Sequence, residues 1–233
     1  MNARVFGVIA ALPAEAASCR LSTAQWDLRC SGAGPAAALR SAQQLLDRGV
    51  AGLISWGTAG ALAPNLKTGS LVLYVRCVDA DSGESFATDP ALRAQLHACL
   101  RALDPVSCDG LTSKYPVAER ADKQALAAEF SCAAVDMESA VIAALAQAHQ
   151  VPFIAIRAII DPAHCTLPRS ALAALEDPAH PVTRVLRTLI RRPWELVALL
   201  QLAWWYGRAL RQLRAAAALM ASADWAHHKT EGV

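Results

Sequence analysis

Short apolar runs of strand length recur along the first 165 residues, each followed by a turn and a more polar stretch. Runs of this kind are typical of strands that are buried on both faces of a parallel sheet. They predict strands at residues 5–10 (VFGVIA), 52–56 (GLISW), 70–78 (SLVLYVRCV) and 152–160 (PFIAIRAII). A further strand is predicted to end at Val135.

Helical spacing of apolar residues fills the intervals between these strands. Residues 36–47 follow a glycine turn, Asp89 and Pro90 provide an N-cap and a first helical residue for a helix to about Leu103, and a further helix is predicted at 137–149. The alternation predicts an α/β fold of three layers, α/β/α, around a central mixed and mostly parallel sheet. In such sheets ligands bind at the carboxyl ends of the strands.

Composition supports a folded enzyme-sized domain and excludes several classes of protein. The 233 residues are 55% hydrophobic and 18% charged, which predicts a substantial core. A net charge of +2, with no basic stripe before residue 184, argues against nucleic acid as a partner. The seven scattered cysteines lack CxxC or zinc spacing, so we expect reduced thiols, a cytoplasmic protein and no metal. The apolar N-terminal run is too short for a targeting signal and is soon followed by Glu15.

Three acidic residues lie near predicted strand ends. Asp161 ends the last strand, where desolvation of a carboxylate raises its pKa and suits it to act as an acid. The same position also suits a helix N-cap. Glu138 and Glu15 are each compatible with an ordinary acid in the first turn of a helix, where the helix dipole favours negative charge. Taken singly, each residue therefore has a structural as well as a catalytic interpretation.

Two glycine turns accompany these acids. Gly32 and Gly34 lie in SGAGP, and Gly57 opens the Gly-Thr-Ala-Gly segment after the second strand. Backbone N–H groups in such turns are able to bind an oxyanion. Glycine is nevertheless ordinary at any strand–helix turn, so neither segment is specific by itself.

Together, and in this order, the segments resemble one enzyme superfamily. GVIAALPAEA, SGAGPAAA, WGTAGALAPNLKTGSLVL, VDMESAVIAALA and RAIID, between about residues 5 and 165, are similar to motifs of the superfamily that contains purine and uridine phosphorylases and methylthioadenosine/S-adenosylhomocysteine nucleosidase. The resemblance implies that Glu15 activates water and that Thr58 replaces a serine beside Gly57, near the sugar and the nucleophile. It places Gly32 and Gly34 in the second glycine turn of the substrate site.

The two later motifs imply the remaining roles. VDMES resembles the family's VEMEA signature, which implies that Met137 packs against the ribose and Glu138 binds its 2′ and 3′ hydroxyls. RAIID resembles RAISD, whose aspartate protonates or hydrogen-bonds purine N7, and this role falls on Asp161. Release of a purine needs such an acid, a grip on the sugar as C1′ becomes cationic, and a nucleophile on the opposite face.

The closest resemblance is to the hopanoid-associated branch, whose members are described as phosphorylases. It implies a small-molecule, lipid-linked substrate, adenosylhopane, which loses adenine by hydrolysis or by phosphorolysis with inorganic phosphate as co-substrate and no other cofactor. Glu15 repels phosphate and favours water, whereas the branch's name favours phosphate. Arg20, Arg29 and Arg76 are cations without an assigned place, and Tyr115 is the one aromatic offered for base stacking between residues 110 and 130.

Two alternatives stay open for the function. One is a nucleosidase of the methylthioadenosine/S-adenosylhomocysteine type, and the other is a catalytically inactive, membrane-associated module that binds nucleosides. Retention of all three carboxylates argues against the inactive module, because binding alone does not need an acid at Asp161. The family commonly forms dimers or larger rings, so a homodimer or higher homo-oligomer is expected.

The chain changes character after about residue 180. Residues 184–214 contain seven arginines and a single acid, Glu195. The apolar segment 194–206 between them is shorter than the roughly 20 residues of a bilayer span, but a Trp-rich helix flanked by arginines suits the headgroup region. We predict a catalytic domain at 1–180 and a basic amphipathic helical tail at 181–233 that contacts the inner face of the membrane. The alternative is a helix that covers the core or a dimer face.

Overall fold

The computed structural model describes residues 5–19, 25–176 and 181–222. The strands are β1 Phe6–Ala10, β2 Trp26–Cys30, β3 Gly52–Ala61, β4 Leu71–Asp79, β5 Ser85–Ala87, β6 Val106–Thr112, β7 Ala134–Asp136 and β8 Phe153–Ile159. The helices are α1 Pro13–Ser18, α2 Pro35–Asp47, α3 Pro90–Cys99, α4 Arg120–Phe130, α5 Ser139–Ala148, α6 Arg169–Glu176, α7 Pro181–Arg191 and α8 Glu195–Ser222. A short 3₁₀ turn, Arg101–Leu103, follows α3.

The strands form one mixed sheet in the order β2-β1-β3-β7-β6-β4-β5. β8 lies off this path: it pairs in parallel with β3 and antiparallel with β4, so that β3, β7, β6, β4 and β8 close into a ring. Of the ladders between the described strands, five are parallel and three antiparallel. The predicted mixed, mostly parallel sheet is therefore confirmed.

Helices cover both faces of this sheet, each over its own apolar cluster. Phe6, Val8 and Ala10 of β1 point to the cluster that includes α3 and α8. Ile9, between them, points to the cluster under α2 and α5. Alternate residues of a strand face opposite sides of a sheet, so the continuous apolar runs seen in the sequence are buried on both faces. This arrangement confirms the three-layer α/β/α fold.

Some predicted boundaries and turns were wrong. Residues 57–60 were expected to end a strand, but β3 continues through them to Ala61 because β7 and β8 pair with this part of it. The third helix stops at Cys99 rather than Leu103, and α5 begins at Ser139, so Glu138 is its N-cap residue.

β6 is a polar strand that the hydrophobic pattern did not predict. Its sequence, VSCDGLT, has little apolar periodicity. Gly110 in this strand lies against the ring of Tyr74, where a Cβ atom would come within 1.9 Å of the ring. The strand is held by tertiary pairing with β4 and β7, which overrides its weak intrinsic propensity.

The tail is helical where it is described, and the second half of α8 belongs to the core. Ala209, Leu213 and Met220 are fully buried in the cluster that contains β1 and α3. Glu195 at the start of α8 accepts a hydrogen bond from the backbone N–H of Ser170, which ties α8 to α6. The core-covering alternative therefore describes this half of α8, while the predicted boundary at residue 180 lies outside the described residues.

Candidate active site

A cavity of about 390 Å³ opens beside the carboxyl ends of β1, β3 and β8. Five of the predicted site residues line it: Glu15, Thr58, Met137, Glu138 and Asp161. Three predicted residues, Gly32, Gly34 and Gly57, are not among its lining residues, although Ala33 of the glycine turn is. The fold thus brings together side chains from four separate segments, at the edge of the sheet where ligand binding was predicted.

Glu15 is fixed in the wall of this cavity by backbone and hydroxyl donors. It is 3% exposed, and its Oε1 accepts hydrogen bonds from Thr58 N at 2.9 Å and Thr58 Oγ1 at 2.6 Å. Its Oε2 accepts one from Leu12 N at 3.0 Å. An ionised carboxylate has about four lone-pair sites. Roughly one site therefore remains for a molecule in the cavity, and Thr58 serves to orient the carboxylate.

Gly57 lies behind Glu15 and is required by close packing. A Cβ atom at this position would lie 2.7 Å from Arg157 Nη1 and 3.0 Å from Glu15 Oε2. Neither distance is compatible with a side chain unless its neighbours move. The glycine therefore permits the close approach of Arg157 and Glu15.

Glu138 is held by the glycine turn that contains Gly32 and Gly34. Its Oε1 accepts a hydrogen bond from Gly34 N at 2.9 Å, and Gly34 has a φ of 95°, which favours glycine. The N–H of Gly34 is thus bound to a carboxylate of the protein itself. Burial raises the pKa of Glu138 to about 7, against the opposing effect of Arg157.

A buried ionic network lies directly behind this glutamate. Arg157 is 2% exposed and donates from Nε to Asp136 Oδ2 at 2.9 Å and from Nη2 to the hydroxyls of Ser55 and Ser139 at 2.6 and 2.9 Å. Asp136 also accepts from the backbone N–H groups of Glu138 and Ser139. Burial alone would raise the pKa of Asp136, but Arg157 and the bonds from Ser139 lower it. The network fixes the start of α5 and thereby the position of Glu138.

Sequence reasoning missed this network, although one signal for it was available. Arg157 interrupts the otherwise apolar strand sequence FIAIRAI. A charge in a strand that is buried on both faces requires a buried partner. That requirement points to an acidic partner elsewhere in the chain, which is Asp136, the last residue of the short strand β7.

Asp161 has a fully buried cationic partner that the sequence did not reveal. The ammonium group of Lys123, 0% exposed on α4, binds Asp161 Oδ2 and donates to the backbone carbonyls of Cys165 and Pro162 at 2.8 and 3.3 Å. Burial raises the pKa of Asp161 despite the opposing effect of this ammonium. Lys123 belongs to the mainly polar helix RADKQALAAEF, where nothing in the spacing distinguishes it from a solvent-exposed lysine.

The outer part of the cavity is apolar and is built by the tail. Leu199, Leu202 and Tyr206 of α8 line it together with Val185 of α7. Burial and the charge of Glu15 both raise the pKa of Tyr206. Tyr115 also lines the cavity and is 70% exposed. The tail therefore contributes to the site and does not merely follow the catalytic region.

The sequence matches the model of the Phosphorylase superfamily over residues 28–191, which is more than half of the chain. The chain belongs to the Phosphorylase superfamily. The region matched contains Thr58, Met137, Glu138 and Asp161. No curated protein matches the sequence closely enough to add to this assignment.

Solved structures show the same fold for this Phosphorylase superfamily member at low sequence identity. A methylthioadenosine/S-adenosylhomocysteine nucleosidase of Helicobacter pylori has a TM-score of 0.73 and 15% identity, over 96% of this chain and 100% of that one. Futalosine hydrolase of the same organism has a TM-score of 0.73 and 16% identity, over 94% and 98% of the two chains. The Neisseria meningitidis nucleosidase, in complex with methylthio-immucillin-A, has a TM-score of 0.72 and 18% identity, over 94% and 100%.

The charged side chains that line the cavity of this superfamily member, within the described chain, are the carboxylates of Glu15, Asp136, Glu138 and Asp161. Two arginines that were considered for phosphate are engaged elsewhere. Arg29 lies 3.7 Å from Asp27, and Arg76 binds Asp109. Arg20, the third, lies outside the described residues. The wall of the cavity is accordingly acidic, with Lys123 and Arg157 placed behind it.

Proposed function

We propose that this protein cleaves the N-glycosidic bond of a 5′-substituted adenosine, with water as the nucleophile. The observation that carries the proposal is the convergence of Glu15, Glu138 and Asp161 on one cavity, each held by separate partners. These are the three functions that release of a purine requires: an activated nucleophile, a grip on the sugar and a proton for the base.

Asp161 is the acid of the proposed reaction. Burial raises its pKa above that of an ordinary aspartate, so this carboxyl takes up a proton more readily than an exposed one. As the bond between C1′ and N9 breaks, the carboxyl proton of Asp161 passes to N7, so that adenine leaves as a neutral base. Lys123 then stabilises the carboxylate that remains, and the pair returns to its initial state when Asp161 regains a proton from solvent.

Glu138 and Glu15 act at the sugar. Glu138 accepts hydrogen bonds from the 2′ and 3′ hydroxyls and stabilises the positive charge that develops at C1′. Glu15 takes a proton from the attacking water, whose oxygen forms the new bond to C1′. Phosphate as the nucleophile is disfavoured because no cation in the described part of the chain lines the cavity to receive its dianion, and Glu15 would repel it.

The apolar outer part of the cavity favours a substrate with a large apolar group at the 5′ position of the nucleoside. Val185, Leu199 and Leu202 offer such a group a surface that a charged amino-acid substituent would not use well. Together with the resemblance to the hopanoid-associated branch, this favours adenosylhopane as the substrate. A methylthioadenosine/S-adenosylhomocysteine nucleosidase activity is the second candidate, since solved nucleosidases of that kind share the fold.

Purified protein incubated with adenosylhopane or methylthioadenosine, each with and without inorganic phosphate, tests these assignments. We expect adenine and a free sugar whether or not phosphate is present, with the higher kcat/KM for adenosylhopane. Glu15→Gln should lower kcat by about 10²–10⁴-fold under both conditions, while Glu129→Gln, at an exposed position on α4, serves as the matched control. Strict dependence on phosphate, with a sugar 1-phosphate product, would overturn the choice of water.

A further inference from the structure

Exposed large apolar side chains are concentrated on one part of the described surface. Seven of the nine such residues lie on α7, on the link to α8, and on the first half of α8, with exposures between 48% and 82%. We call this set the outer apolar face; it consists of Leu186, Ile190, Trp194, Leu196, Val197, Leu200 and Trp204. Exposed apolar patches of this kind mark sites of interaction.

The outer apolar face adjoins the rim of the active-site cavity. Val185, Leu199 and Ala203 line the cavity, and the residue that directly follows each of them belongs to the outer apolar face. Successive residues of an α-helix are separated by about 100° around its axis. The apolar lining of the cavity therefore continues around these two helices onto the exposed surface.

The charge of this region is positive. Arg187, Arg191 and Arg208 are exposed, and Arg208 lies over the ring of Trp204 at 5.9 Å. The single acidic residue between positions 181 and 222, Glu195, is buried. It accepts hydrogen bonds from Ser170 N and from Arg192. Arginine and tryptophan around an apolar surface are typical of a helix that lies in a headgroup layer. No helix in the described part of the chain has the length and hydropathy needed to cross a membrane.

We propose that the outer apolar face binds the surface of an anionic lipid bilayer, with α7 and the first half of α8 in the headgroup region and the cavity rim at the membrane. The inference deepens the proposed function, on which it rests for the need to reach a lipid-linked nucleoside. Substrate would then pass from the bilayer to the cavity along a continuous apolar path.

A second copy of the chain is the competing occupant of this face, and charge disfavours it. A two-fold symmetric contact is made by the same patch on both subunits. Such a contact would bring the exposed arginines of two copies together, whereas an anionic surface neutralises them. A bilayer therefore accounts for the apolar and the basic residues at once.

Vesicle co-sedimentation tests the proposal, and surface substitutions are the appropriate variants. Deletion of the tail is unsuitable because Leu213 and Met220 belong to the core. One variant combines Ile190→Gln, Val197→Gln and Trp204→Gln, and a second combines Arg187→Gln and Arg191→Gln; none of these residues lines the cavity. The matched control carries Leu39→Gln and Arg40→Gln, at exposed positions on α2.

We expect the wild type and the control to pellet with vesicles of phosphatidylcholine containing about 30% phosphatidylglycerol, and not with phosphatidylcholine alone. Affinity should fall between about 0.1 and about 1 M salt, where the Debye length shortens from about 10 to about 3 Å. Loss of two arginines should weaken binding about 25-fold, roughly fivefold for each, and the apolar variant should bind at least about tenfold more weakly.

Wild-type protein that stays in the supernatant at low salt would overturn the proposal. Sedimentation velocity tests for the competing occupant. If the wild type is an oligomer that does not bind vesicles, and the apolar variant is a monomer, the face is the contact with a second copy. Vesicle binding that is equal in the control and in both variants would also refute the proposal that the outer apolar face binds a bilayer. Vesicle binding needs no turnover, so it is measured independently of activity. All variants should cleave methylthioadenosine as the wild type does. A wild type that binds vesicles but releases no adenine would refute the proposed function and leave the surface assignment standing.

Discussion

Replacement of Glu138 by glutamine should stabilise the protein at alkaline pH while it removes activity. Glu138 is 8% exposed, and its folded-state pKa is raised from 4.5 to about 7. A carboxyl group whose pKa is raised by folding contributes stability below its unfolded pKa, and that contribution is lost as pH rises through the folded pKa. Glutamine has nearly the same shape, can still accept the hydrogen bond from Gly34 N, and does not ionise.

The expected size of the effect follows from the interval between the two pKa values. Each pH unit between 4.5 and about 7 is worth about 1.4 kcal/mol, so the variant should gain up to about 3 kcal/mol over the wild type between pH 4 and pH 8. Chemical denaturation of both proteins across this range measures the difference, with Glu129→Gln as the exposed control. A difference that stays constant with pH, or one that favours the wild type at pH 8, would refute the reasoning.

Three further predictions concern the proposed catalytic acid Asp161, its partner Lys123, and Gly57 beside Glu15. Asp161→Asn should lower the rate of adenine release by about 10²–10⁴-fold with an unchanged far-ultraviolet spectrum, because an amide cannot deliver the proton; a rate within threefold of wild type would remove it from the mechanism. Lys123→Met should cost about 3–5 kcal/mol of unfolding free energy near neutral pH. Urea titrations should show this loss shrinking as pH falls and Asp161 becomes neutral, and a loss that is independent of pH would contradict the ion pair. Gly57→Ala should cost about 1–3 kcal/mol by the same assay and should also lower kcat, because its Cβ atom displaces Arg157 or Glu15.

The sheet and the acids were predictable from the sequence because both are encoded locally. Apolar runs buried on both faces give β1, β4 and β8 directly, and the order of the motifs predicts Glu15, Glu138 and Asp161 as site residues. The carboxyl ends of the parallel strands β1, β3 and β8 meet at one edge of the sheet, which brings Glu15 and Asp161 together. Glu138 follows β7, which runs antiparallel to β3, so its approach depends on that pairing.

The supporting residues were not predictable in the same way, since their roles depend on contacts between distant segments. Lys123 is 38 residues from Asp161 and lies on a polar helix whose pattern says nothing about burial. Gly34 and Glu138 are separated by 104 residues. The glycine was recognised as conformationally special, but its partner could not be inferred. The tail was interpreted from composition alone, which detected its basic and apolar character and missed the part that α8 plays in the core.

The positions of the two buried cations bear on the choice of nucleophile. Arg157 and Lys123 neutralise carboxylates from behind the cavity wall, where Arg157 binds Asp136 and two hydroxyls and Lys123 binds Asp161 and two backbone carbonyls. A phosphorylase needs cations that face the substrate, because a dianion must be drawn into the site. In this protein the two cations lie behind the acidic wall of the cavity and do not face the substrate. Glu15 in that wall is oriented by Thr58 and Leu12, which leave about one of its lone-pair sites open. In the proposed hydrolysis that site would hold the attacking water, which would donate a hydrogen bond to Glu15 and be activated by it.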